Sequence, residues 1–164
     1  YKAGQGALWG DTTILESNQL PVVKEHKYTN LFRMLEAERF DYFPRGIAEP
    51  WLEVERERAL NLTVDPHIVL RYTAPFYFFV RKGDTELAAH ITGVLEEMLA
   101  DGSFMALYYQ NEEIRMAFSL ANLDRRQIIE LNNPHLSAST PIDRPELWVS
   151  KQELLQRSNQ EAVQ

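Results

Sequence analysis

The chain has 164 residues, a formal net charge of −7 at pH 7 and no cysteine. Its length suits one domain, or one domain with an appendage, and its 45% hydrophobic content is enough to build a packed core. The acidic balance argues against nucleic-acid binding, because phosphates require basic patches. The absence of cysteine excludes disulfides, thiolate zinc sites and cysteine nucleophiles, and no apolar stretch approaches the roughly 18–20 residues that span a bilayer.

The amino-terminal segments predict alternating helices and strands. Residues 1–6 are small and indicate a loop, after which Asp11 is expected to cap a helix that ends near residue 18. Residues 21–26 predict a short strand. Apolar side chains within 31–35 then predict a helix that packs on a sheet.

The same alternation continues to residue 80. Aromatic residues 40–43 predict a strand that closes with Pro44-Arg45-Gly46, and Pro50 marks the start of a helix that reaches about residue 60. Two further strands are expected at 68–72 and 76–80. Strands and helices in this order predict a three-layer α/β lobe.

The second half is predicted to be mainly helical. Asp84 is expected to cap an amphipathic helix over residues 86–99, which ends at Gly102 in a left-handed cap. Further helices are predicted at 104–110, 113–121 and 125–131, followed by an extended strap at 132–144 and a polar tail at 151–164. We therefore expect three parts, with the boundaries 1–80, 81–150 and 151–164.

The sequence offers few nucleophiles or metal ligands in recognisable arrangements. Its four histidines lack the i, i+4 spacing of a helical metal pair, and its serines lack the flanking glycines of a nucleophile elbow. Gly4, Gly6 and Gly10 are spaced as in a nucleotide-binding loop, but the lysine and serine or threonine of a P-loop do not follow them.

Acidic pairs do not predict a catalytic site either. Glu53 and Glu57 fall in the charge-rich end of the third predicted helix, where a solvated face is the simpler interpretation. The best dyad that can be assembled is Asp41 with Glu49 or His67. We expect no enzyme, no cofactor and no metal site, and we keep an enzyme on a two-lobed α/β scaffold as the minor alternative.

Three phrases carry a family resemblance. Residues 30–46, NLFRMLEAERFDYFPRG, resemble the helix-then-strand unit in the second lobe of family 3 extracellular solute-binding proteins. Residues 77–91, YFFVRKGDTELAAHI, resemble the segment in which those proteins return to their first lobe, and residues 96–104, EEMLADGSF, resemble the end of the helix that follows. More narrowly, RFDYFPRG at residues 39–46 and NPHL…TPIDRPELW within residues 133–148 look like an uncharacterised branch of transporter substrate-binding-like proteins.

The resemblance implies an architecture and a setting. Residues 1–80 would form lobe two of a type II periplasmic-binding-protein fold. Residues 81–150 would supply the C-terminal helices and strap of a first lobe that lacks about its first hundred residues. Such proteins are made with a signal peptide and capture solutes in the periplasm for an ABC permease, or, alternatively, signal to a sensor partner. Without a complete first lobe, the helix over residues 86–99 would favour a homodimer or a domain swap through its apolar stripe.

The resemblance also implies a ligand cleft at the carboxyl ends of the strands. Amino-acid binders of the family place an aspartate at the end of the aromatic strand to hold the ligand's ammonium group. Here the matching position is Gly46, preceded by Arg45, so an anionic or carboxylate-bearing solute is expected instead. An ion pair of Arg45 with Glu49 or Asp41 is the alternative. The predicted ligand-binding residues are Gln5, Trp9, Asp11, Arg45, Gly46 and Glu49.

Overall fold

The computed structural model describes residues 1–161. Within them the chain is mixed α/β, with seven α-helices, two 3-10 turns and four short strands in two parallel sheets. The strands are β1 (Ala3–Gly6), β2 (Val22–Glu25), β3 (Ile68–Arg71) and β4 (Gln127–Glu130). The helices are α1 (Gly10–Ser17), α2 (Tyr28–Glu36), α3 (Pro50–Arg56), α4 (Thr85–Asp101), α5 (Ser103–Gln110), α6 (Glu112–Ala121) and α7 (Lys151–Glu161).

Strand β1 lies at the centre of the first sheet, so the prediction of a loop over residues 1–6 is wrong. All four of its residues are buried, and it runs parallel to β2 with Ala3 opposite Val22. On its other side Ala3 forms a parallel bridge with Tyr42. The small residues that suggested a loop allow aromatic rings to lie directly on this strand. A Cβ on Gly4 would come within 2.2 Å of the Phe40 ring, and one on Gly6 within 2.4 Å of the Trp9 ring.

Residues 40–43 do not form the predicted strand. They contribute the single bridge at Tyr42, whose carbonyl accepts a hydrogen bond from the Gly4 N–H at 2.8 Å. The aromatic side chains fill the core on this side of the sheet instead. Phe40 is buried, and Phe43 packs edge-on against Phe32 of α2 with ring centroids 5.4 Å apart.

The second sheet corrects two further predictions. Strand β4 replaces the helix predicted over residues 125–131 and pairs in parallel with β3, with Ile68 opposite Gln127. Its paired isoleucines at 128 and 129 favour a strand once β3 is available. Residues 76–80, predicted as a strand, have no regular structure, and all four aromatic side chains at 76–79 are exposed.

The helical half agrees with the sequence at α4. Asp84 caps it by accepting a hydrogen bond from the Leu87 N–H at 3.3 Å, and Gly102 ends it in the left-handed region with φ of 80°. No side chain of α4 is buried, however, and Leu87 and Val94 are among its exposed apolar residues. No helix within residues 1–161 is both long and apolar enough to cross a bilayer.

A second core lies between α6 and α7. Phe118, Ala121 and Leu123 are its buried members, and Trp51 of α3 packs against them. A reciprocal amide pair makes a further link: Asn18 donates to the Asn132 carbonyl at 2.7 Å and accepts from the Asn132 N–H at 3.0 Å.

Candidate functional site

The candidate site lies at the carboxyl edge of the first sheet. Strand β1 ends at Gly6, α1 begins four residues later, and the chain that follows the Tyr42 bridge reaches the same edge as residues 44–46. The carboxyl edge of parallel strands, between the loops that lead into helices, is where open α/β sheets bind ligands. Four of the predicted site residues, Gln5, Arg45, Gly46 and Glu49, meet here. Gln5 donates a hydrogen bond to Pro44, the chain neighbour of Arg45, and Glu49 accepts from both Arg45 and Gly46.

Arg45 is the centre of this group, and two glutamates of the α3 region hold its guanidinium. Its Nε donates to Glu53 Oε2 at 2.9 Å, and its Nη2 donates to Glu53 Oε1 at 2.8 Å in a two-point fork. The same Nη2 donates to Glu49 Oε1 at 2.6 Å. Glu49 and Glu53 are one helical turn apart and therefore face Arg45 together. The expected alternative of an Arg45–Glu49 ion pair is present, whereas Asp41 accepts from the Lys2 N–H at the amino end of β1.

Three aromatic rings surround the same guanidinium. The Arg45 Cζ lies 5.1 Å from the Trp9 ring centre, 5.4 Å from that of Tyr28 and 5.2 Å from that of Phe43. These distances are within the range of cation–π attraction. Burial alone would lower the pKa of Arg45, but the hydrogen bonds and charges of Glu53 and Glu49 outweigh it and raise that pKa. Arg45 is thus a permanent cation in a fixed position.

The two glutamates differ in exposure. Glu53 has a side chain that is 10% exposed and also accepts from the Tyr28 hydroxyl at 2.5 Å. Glu49 has a side chain that is 45% exposed, and its second oxygen accepts from the Gly46 N–H at 2.5 Å. Its carboxylate therefore bridges a guanidinium nitrogen and a backbone N–H.

Gln5 and Trp9 complete the edge next to Arg45. Gln5 is 2% exposed; its Nε2 donates to the Pro44 carbonyl at 3.1 Å, while its Oε1 is buried without a hydrogen-bond partner among the described residues. Buried acceptors without a donor are uncommon in folded proteins. Trp9 is half-buried and stacks on Phe43 with an interplanar angle of 16°.

Asp11 does not have the predicted capping role. The N-cap of α1 is Trp9, without a side-chain hydrogen bond, and Asp11 lies in the first helical turn. Its carboxylate accepts from the Tyr72 hydroxyl at 2.5 Å. Burial, this hydrogen bond and the charges of Asp11 and Glu49 together raise the pKa of Tyr72. Asp11 therefore ties α1 to the segment after β3.

Glu53 and Tyr28 are site residues that the sequence interpretation missed. The sequence interpretation places Glu53 on a solvated helix face. In the structure the whole residue is only 7% exposed, because Arg45 neutralises its charge. The available signal was the spacing of Arg45, Glu49 and Glu53, each four residues from the next. Tyr28 gives no such signal, since only the tertiary fold brings it to Glu53.

The assembled site has a fixed cation paired with two glutamates, a backbone N–H that Glu49 covers, and an aromatic wall. Groups of this kind bind anions and planar or apolar ligand surfaces. The described residues contain no cluster of three or more side chains suited to a metal ion. Comparisons with protein-family models, curated proteins and solved structures find no match to this chain.

Proposed function

We propose that this chain binds a small polar solute that carries a carboxylate or another anionic group, at the carboxyl edge of the first sheet. The observation that carries the proposal is the fixed position of the Arg45 guanidinium. Its Nε and Nη2 are held by Glu53, and within the described residues its Nη1 donates no hydrogen bond. Because Glu53 holds the guanidinium in place, its remaining N–H groups lose little entropy when they bind an anionic group.

The proposed setting is that of a solute-binding protein. Residues 1–80 act as lobe two of a type II periplasmic-binding-protein fold, residues 81–150 belong to the first lobe, and the sheet of β3 and β4 joins the two parts, with closure of the lobes around the solute. The parallel order β2–β1–Tyr42, with α1 following β1 directly, supports this assignment. In this role the protein works in the periplasm and delivers its solute to an ABC permease.

A sensing module of the same fold is the second candidate. Its closure would be read by a protein partner instead of a permease, and the exposed apolar side chains of α4 offer a surface for such a contact. The two candidates share the solute site and differ only in the partner, so identification of the bound protein separates them.

Thermal unfolding in the presence of candidate solutes tests the proposal. The panel consists of acetate, succinate, citrate, L-glutamate, inorganic phosphate and putrescine, each titrated against the 164-residue chain. A ligand that binds only the folded state adds about 2.7 kcal/mol at 100 times its Kd, which raises the midpoint. We expect at least one carboxylate or phosphate to stabilise the chain and putrescine to have no effect.

The Arg45→Lys variant identifies the binding group. Lysine keeps the positive charge but loses the planar fork, so we expect about tenfold weaker binding of the best anion. Arg58→Lys is the matched control, because the Arg58 side chain is 82% exposed. Stabilisation by putrescine alone, or equal anion binding by both variants, would contradict the proposal.

A further inference from the structure

Glu49 already presents a carboxylate to the proposed site. One oxygen accepts from Arg45 Nη2 at 2.6 Å and the other from the Gly46 N–H at 2.5 Å. These two donors, one on a cation and one on the backbone, form a notch whose shape fits a single carboxylate group. In this structure the Glu49 carboxylate occupies the notch.

We propose that the notch formed by Arg45 Nη2 and the Gly46 N–H is the carboxylate subsite of this protein, and that Glu49 fills it as an internal competitor. The solute's carboxylate displaces the Glu49 side chain into water and takes over both of its hydrogen bonds. This inference rests on the proposed function, since it names the group that the solute must present and the side chain that it must replace.

The contacts of the two glutamates identify Glu49 as the group that leaves. Glu53 is buried and accepts from three donors, namely Arg45 Nε, Arg45 Nη2 and the Tyr28 hydroxyl. Removing it would leave charges without partners in the interior. Glu49 has only the two donors of the notch, and its exposed side chain is hydrated as soon as it rotates away. Arg45 remains in place because Glu53 still holds it.

Glu49 is the nearest side chain beyond the chain neighbours of Gly46. The three nearest atoms to the position that a Cβ on Gly46 would take all belong to Glu49, the closest being Oε2 at 2.9 Å. Gly46 itself is exposed. Because Glu49 Oε2 is the acceptor of the Gly46 N–H, movement of the Glu49 side chain would free that donor at an exposed residue.

A tethered competitor lowers the apparent affinity for the solute. A carboxylate on the same chain acts at a high effective concentration, and the measured Kd rises in inverse proportion to the fraction of molecules in which the notch is open. Removing the competitor should therefore tighten binding. This is opposite to the usual effect of deleting a residue that touches the ligand.

Acetate is a suitable probe, because it is a free carboxylate with the chemistry of the end of the Glu49 side chain. We would titrate acetate into the wild-type chain, Glu49→Ala and Glu49→Gln, and follow the backbone amide resonances of Gly46 and its neighbours. We expect Glu49→Ala to bind acetate about tenfold more tightly than the wild type, as the release of charge-assisted hydrogen bonds implies. Glu49→Gln should fall between the two, and the Gly46 resonance should shift in each case.

Glu55→Ala is the matched control, because Glu55 lies in the same helix with a side chain that is 74% exposed. It should bind acetate as the wild type does. If Glu49→Ala binds acetate no more tightly than Glu55→Ala, or if the Gly46 resonance does not move, the inference is overturned. If the Glu49 inference fails in this way but an anion of the solute panel still stabilises the wild type through Arg45, the proposed function stands without the Glu49 inference. If neither the wild type nor Glu49→Ala binds any anion of the panel, both proposals fall.

Discussion

Glu53 is the buried carboxylate that pairs with the Arg45 cation and the Tyr28 hydroxyl. It neutralises Arg45 through a two-point fork and accepts from Tyr28, so the three side chains form one satisfied network. Networks of this kind are costly to break, because each remaining polar group stays buried without its partner. The position of Arg45, and with it the proposed solute site, therefore depends on a residue that need not touch the solute.

The variant Glu53→Gln tests this dependence. The amide keeps the size of the side chain but removes the charge opposite Arg45, so we expect a loss of about 2–4 kcal/mol in the free energy of unfolding. Urea titration measures it. Glu55→Gln, at an exposed position of the same helix, should change stability by less than about 0.5 kcal/mol. Equal stabilities of the two variants would mean that the buried network contributes nothing.

At the scale of single elements, local signals predicted the helices better than the strands. Helix α4 was predicted with its Asp84 cap and its Gly102 end, because both signals lie within the helix and its flanks. Strand β4 was predicted as a helix, since β3, the strand with which it pairs, is distant in the chain. Residues 76–80 have the composition of a strand but lack a neighbour to pair with among the described residues.

In the candidate site, too, contacts between distant segments are not predicted by local signals. The sequence singles out Arg45 and Gly46 only by comparison with the family that it resembles, and Glu49 because it lies one helical turn from Arg45. The packing of Trp9, Tyr28 and Phe43 around Arg45 brings together three separate segments, which no local spacing indicates. The glycines of β1 predict a loop for a related reason. They make room for the Phe40 and Trp9 rings, which come from other segments of the chain.

The packing of β1 can be tested at Gly4. In the Gly4→Ala variant the new methyl group would overlap the Phe40 ring, so we expect a loss of about 1–3 kcal/mol in unfolding free energy. Gly93→Ala is the contrasting control: beyond its chain neighbours and the backbone of its own helix, no atom lies within 4 Å of the new Cβ, and alanine favours the helix by up to about 1 kcal/mol. Guanidinium unfolding measures both. The two changes in unfolding free energy should have opposite signs. If Gly4→Ala does not destabilise the chain while Gly93→Ala does, the assigned packing is wrong.

At the scale of the whole molecule, exposed apolar side chains concentrate in one part of the sequence. The aromatic residues at 76–79 are followed by α4, which has no buried side chain and exposes Leu87 and Val94. Apolar surface of this kind typically marks a contact with another protein. We propose that it forms a contact between two copies of the chain, as a homodimer or a domain swap.

Sedimentation velocity at increasing protein concentration measures this association. We expect the 164-residue chain to associate, and the double variant Leu87→Glu, Val94→Glu to remain monomeric because charges would be buried in the contact. Thr92→Glu, on another face of α4, is the matched control and should associate as the wild type does. A monomer at every concentration, for the wild type as well, would rule out this contact.

The parallel pairing of β3 with β4 has a consequence for synthesis of the chain. Arg71 and its partner Glu130 are 59 residues apart, so β3 leaves the ribosome well before its partner exists. At about 5–20 residues per second, the delay is roughly 3–12 seconds. During that time an unpaired strand edge and the aromatic residues at 76–79 are open to nascent neighbours and chaperones. Translation between residues 71 and 130 is therefore a period in which β3 has no partner strand to cover its edge.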